Sequence, residues 1–66
     1  MEKLKRIIKR SLLTQAEFAG KLGVHPRTLK KYLDNEMEPR ASIAYRIIQL
    51  CGEDKITLED IVKEWL

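Results

Sequence analysis

Residues 14–35 read TQAEFAGKLGVHPRTLKKYLDN, and this stretch decides the fold. Thr14 and Glu17 have the spacing of a capping box, in which each side chain bonds a free backbone N–H near the other. Leu13 and Phe18 occupy the two positions of a hydrophobic staple beside it. Phe18, Ala19 and Leu22 then form one apolar stripe, and Gly23 suits a left-handed residue that ends the helix. A second helix starts near His25, with Pro26 at the first helical position, where a missing N–H costs nothing. Leu29, Tyr32 and Leu33 form its inner face, while Arg27, Lys30, Lys31 and Asp34 fall outside. Asn35 tolerates left-handed geometry and marks its end.

Two helices joined by a turn of about four residues pack at a steep angle if three conditions hold. A small residue must sit where they approach, and Ala19 is there. A residue must be free to turn, and Gly23 is there. Apolar anchors are needed on both sides, and Phe18, Leu22, Val24, Leu29 and Tyr32 supply them.

Outward from this motif the pattern stays helical, with no strand periodicity. A first helix is expected from about Glu2 to Leu12, with Leu4, Ile7, Ile8 and Ser11 or Leu12 on one face. Glu36 to Pro39 reads as a loop. A fourth helix follows from about Arg40 to Cys51, with Ile43, Ala44, Ile47, Ile48 and Cys51 inward and Gly52 as its stop. A fifth begins at the Thr57 and Asp60 cap with the Ile56 and Ile61 staple. Its Leu58, Ile61, Val62, Trp65 and Leu66 make one apolar stripe. The expectation is an all-α, five-helix single domain over residues 1–66, with the helix-turn-helix at about 15–35 and its second helix at about 25–34.

Charge is divided along the chain. The net charge of +3 conceals a first half, Met1 to Leu33, with nine basic residues against two acids, a net of +7. The second half carries −4. The first half should attract polyanions and the second should not. Other classes are disfavoured. The lone Cys51 forms no intrachain disulfide, and with the lone His25 it makes no structural zinc site, so no metal or cofactor is expected. Cys51 reads as a small buried hydrophobe. There is no catalytic constellation or Gly-rich phosphate loop, so an enzyme is not expected. No apolar run reaches the ~18 residues of a membrane span. The opening residues do not resemble a signal peptide, so the chain reads as complete and cytoplasmic.

The run from Thr14 to Asn35 resembles the helix-turn-helix of the lambda-repressor and Cro-like family. The MEPR at 37–40 resembles its following loop, and ITLEDIVKEWL at 56–66 resembles its fifth helix. The resemblance spans about Leu4 to Leu66. It implies a compact five-helix domain that regulates transcription by binding double-stranded DNA, as a homodimer on a partly palindromic operator. The chain is of Cro size, which points to a phage or bacterial repressor. In such proteins the motif's second helix enters the major groove, and the first crosses the backbone.

Carried onto this chain, Gln15 at the start of the first motif helix is placed to hold a phosphate. Arg27 is the foremost base reader, because a guanidinium grips guanine O6 and N7 together. Lys31 is second. Lys30, Thr28 and Arg40 are phosphate contacts. His25 either contacts DNA or simply starts the helix. Trp65 and Leu66 either cover the core or form a dimer interface. The chain departs from the family pattern at Glu36, where a Gly is common, and at Ile8, where an Arg is common. The acids Asp34, Glu36 and Glu38 follow the recognition helix. A reading of another class is a protein-interaction module, antitoxin-like, that uses the same fold to hold a protein partner.

Overall fold

Local signals set most of the helix ends. The computed structural model describes residues 1–63, and those residues form five α-helices and no strand. They are α1 (Glu2–Arg10), α2 (Gln15–Leu22), α3 (Pro26–Leu33), α4 (Ala41–Cys51) and α5 (Leu58–Lys63). The capping box before α2 is formed in both directions. Thr14 Oγ1 accepts from the Glu17 N–H at 3.1 Å, and Glu17 Oε1 accepts from the Thr14 N–H at 3.1 Å. The same device precedes α5. Thr57 Oγ1 accepts from the Asp60 N–H at 3.2 Å, and Asp60 Oδ2 accepts from the Thr57 N–H at 3.0 Å.

Two expectations need correction. The first helix ends at Arg10, not at Leu12. Ser11 is the cause: its hydroxyl donates to the Ile8 carbonyl at 2.7 Å and accepts from the Leu13 N–H at 3.2 Å. That local bonding competes with another helical turn. Leu12 is consequently 102% exposed rather than inward. The stripe of α5 is also divided. Ile61 is buried, but Leu58 is 38% and Val62 43% exposed. Trp65 and Leu66 lie outside the described residues.

The core joins all five helices. Leu4 and Ile8 of α1 meet Phe18, Ala19 and Leu22 of α2, Leu29, Tyr32 and Leu33 of α3, and Ala44, Ile47, Ile48 and Cys51 of α4, closed by Ile56 and Ile61. Leu13, Val24 and Ile43 pack against this cluster. Met1 is buried in it as well. Its amino group donates to the Leu33 carbonyl at 2.9 Å and to Asn35 Oδ1, tying the start of α1 to the end of α3. Lys3 reaches Asp60 at 2.9 Å and joins α1 to the cap of α5. No helix among the described residues is long and apolar enough to cross a membrane.

Candidate nucleic-acid interface

The turn between α2 and α3 is built from backbone bonds that only a left-handed residue allows. Gly23 has φ 82°. Its N–H donates to the Gly20 carbonyl at 3.2 Å, and the Val24 N–H donates to the Ala19 carbonyl at 3.0 Å. This is a Schellman closure, in which the last carbonyls of α2 find donors just past the helix end. Val24 then packs on the core, which fixes the direction in which the chain leaves the turn. Ala19 is fully buried beneath it, and α2 packs against α3 and α4.

α3 starts one residue later. His25 is its N-cap, and His25 Nδ1 accepts from the Arg27 N–H at 3.1 Å. The imidazole therefore performs a helix-start role, with Nδ1 unprotonated, and its exposed position leaves the rest of the ring open to solvent. Pro26 follows at the first helical position. The far end of α3 repeats the closure of α2. Asn35 has φ 58°, its N–H donates to the Tyr32 carbonyl at 3.2 Å, and the Glu36 N–H donates to the Lys31 carbonyl at 2.8 Å.

Between these closures the faces of α3 separate cleanly. Leu29, Tyr32 and Leu33 are buried. Pro26, Arg27, Lys30, Lys31 and Asp34 are exposed. At about 100° per residue these five positions span about 140° of arc, so they form one outward face. Arg27, Lys30 and Lys31 make no ion pair with any described residue. Asp34 is held from the other side, since Lys5 Nζ lies 3.6 Å from its carboxylate. An acid at the end of a cationic face is thus partly neutralised by a helix that lies behind it.

The remaining sequence candidates fall at helix starts. Gln15 is the first residue of α2 and is exposed. The capping box uses the N–H groups of Thr14 and Glu17, leaving those of Gln15 and Ala16 without a described partner. Glu17 is held below the usual glutamate range, first by the backbone bond with Thr14 and then by the Thr14 hydroxyl. Its negative charge therefore remains at this terminus at neutral pH. Arg40 is the exposed N-cap of α4, with no side-chain capping bond. Thr28 is half-buried at the edge of the α3 face.

Arg46 was not legible as part of this region. From α4 its Nη1 donates to the Leu22 carbonyl at 3.3 Å, the last residue of α2. The same nitrogen lies so close to Gly23 that a Cβ there would meet it at 2.8 Å. Arg46 thus braces the turn across 24 residues of sequence. Nothing local in the sequence signals this, because Arg46 lies off the apolar stripe of its own helix.

The helix-turn-helix family model matches residues 4–61 of the chain. No curated protein matches it, and no solved structure does.

Proposed function

Because the chain belongs to the helix-turn-helix family of lambda-repressor and Cro-like type, a family of DNA-binding transcription regulators, we propose that it is a sequence-specific repressor that binds a palindromic operator as a homodimer. The observation that carries this reading is the outward face of α3. It presents Arg27, Lys30 and Lys31 together, free of ion pairs with described residues. In the proposed complex α3 enters the major groove. Arg27 and Lys31 read base edges, while Lys30, Thr28 and Arg40 meet phosphates. Gln15 and the two open N–H groups of α2 hold a phosphate from the motif's first helix. His25 caps α3 with Nδ1 and offers Nε2–H to the backbone of the DNA.

Energetics favour two copies. Each good bidentate base contact supplies ~1–3 kcal/mol of discrimination. Two or three such contacts fall short of the ~4–10 kcal/mol that separates specific from non-specific binding. Two half-sites about one helical turn apart reach it. Support for a dimer surface comes from Tyr45, Leu58 and Val62. Tyr45 is 56% exposed, and it lines one shallow depression with Leu58. Trp65 and Leu66, the sequence candidates for this surface, lie outside the described residues.

The test is selection of bound sites from random duplex DNA with the purified chain, followed by titrations at two salt concentrations. A recovered palindrome with half-sites about one turn apart is the expected result. Absence of any enriched sequence, with only weak, salt-erased binding, would overturn the reading in favour of a module that holds a protein partner.

A further inference from the structure

A second basic feature lies away from α3. A cavity of about 640 Å³ opens between α1, one side of α2 and the end of α4. Its floor is apolar: Phe18 and Cys51 are buried there, with Ile7, Leu13 and Leu50 around them. Its rim is cationic. Lys3, Arg6 and Arg10 come from α1, Lys21 from α2 and Lys55 from the turn after α4. Among the described residues no acid lines it. Lys3 is committed to Asp60, but Arg6, Arg10, Lys21 and Lys55 have no ion pair with a described residue.

From this juxtaposition we propose that the cavity binds a small organic anion with an apolar body, of the class of a medium-chain carboxylate. The volume lies within the ~300–1,000 Å³ typical of small-molecule sites. Four cations without an ion pair to any described residue converge from three elements and repel one another, and an anion at the rim relieves that repulsion. Inorganic anions would satisfy the rim alone and leave the floor wet. A neutral apolar molecule would satisfy the floor alone. Only a ligand with both parts matches both. The surroundings of Cys51 agree with a dry floor, since burial pushes its thiol above the usual cysteine range despite Lys55 nearby.

None of the lining residues belongs to the proposed DNA contacts, so the inference stands or falls without DNA. The experiment is an amide ¹H–¹⁵N correlation titration of the full chain with decanoate below its micelle concentration. Hexanoate, decanol and inorganic phosphate serve as comparisons. Decanoate should bind saturably and shift amides around Ile7, Leu13 and Leu50. Affinity should rise up to about four-fold for each added methylene that reaches the floor. Decanol should bind at least about ten-fold more weakly, because it lacks the charge that the rim recognises. Arg10→Gln and Lys21→Gln, both at exposed positions, should each weaken decanoate several-fold while far-ultraviolet circular dichroism stays unchanged. Leu50→Ala should remove the chain-length dependence. Equal binding of decanol, equal binding of phosphate at the same amides, or shifts confined to α3 would overturn the proposal. So would capture by anionic phosphatidylglycerol vesicles without saturable binding of monomeric decanoate.

Discussion

Replacing Gly23 with Ala should cost about 2 kcal/mol of stability, through two separable effects. The first is backbone strain. Gly23 sits at φ 82°, and an L-residue in the left-handed region loses roughly 1–2 kcal/mol. Ala also narrows the unfolded ensemble, which returns part of that, so about 1 kcal/mol remains. The second effect is contact. The new Cβ would lie 2.8 Å from Arg46 Nη1, a separation that real Cβ atoms do not adopt. Arg46 has a flexible side chain, so it moves aside rather than deforming the turn. In moving it loses its bond to the Leu22 carbonyl, already long at 3.3 Å and only partly buried, worth about 0.5–1 kcal/mol. For a domain of this size the total corresponds to a fall in Tm of about 8–16 °C. The assay is a double-mutant cycle in urea, followed by circular dichroism. In an Arg46→Ala background, Gly23→Ala should cost only the backbone share, leaving a coupling of about 0.5–1 kcal/mol. Gly23→Asn should recover part of the strain but none of the contact, because Asn tolerates left-handed geometry yet carries a Cβ. Additivity within about 0.3 kcal/mol would show that Arg46 does not brace the turn. A cost below about 0.5 kcal/mol for Gly23→Ala would refute the left-handed turn itself.

On a selected operator, Arg27→Ala should cost about 1–3 kcal/mol and relax preference at one base position. Lys30→Ala should weaken all sequences alike and lower the salt slope by about 1; identical behaviour of the two variants at every base would refute the division of roles. Asp60 is held below the usual aspartate range, first by its bond from Lys3 and then by the Thr57 N–H, and Glu17 is lowered by Thr14. Both depressed carboxyls contribute stability that is present above their unfolded values and lost as pH falls through the folded ones, so Asp60→Asn should flatten the acid limb of a stability profile while lowering the neutral plateau. Val62→Glu should shift the sedimentation of the chain toward monomer and weaken operator binding without lowering Tm, since Val62 is already 43% exposed. Burial raises the Cys51 thiol, so a disulfide reagent at mildly alkaline pH should react slowly with the native chain and quickly in urea.

How far the fold could be read in advance depended on how local its causes were. Both capping boxes, the turn at Gly23 and the left-handed Asn35 are set by neighbours within six residues, and the sequence displays all of them. Periodicity alone extends α1 through Leu12, two residues beyond its end at Arg10. The decisive competitor was one hydroxyl, on Ser11, with two backbone partners. The stripe of α5 departs from its pattern for a different reason. Periodicity says which residues share a face but not whether a neighbouring element covers all of it, and only Ile61 reaches the core. Met1 and Arg46 are not legible in the sequence because their partners are brought to them by tertiary packing. On α3, helical arithmetic was enough to set the outward face. It could not assign which side chain reads a base, since that depends on a groove the chain does not contain.

The +7 of the first half makes one polyanion-attracting end on paper, and the fold gives it more than one destination. Lys3 and Lys5 are turned toward acids of the second half, Asp60 and Asp34. Their charge holds α1 to the cap of α5 and to the end of α3. Arg6, Arg10 and Lys21 converge on the cavity with Lys55, which itself comes from the acidic half. Arg27, Lys30 and Lys31 are left on α3 without an ion pair to any described residue. These groups differ in what an approaching polyanion feels. Beyond a Debye length of roughly 8–10 Å the individual cations merge into one screened field. At contact only those that are unpaired and on the right face can release a counterion. The steering of DNA toward the chain and the grip on it once bound are therefore assigned to overlapping but unequal sets of residues, and net charge along the sequence measures only the first.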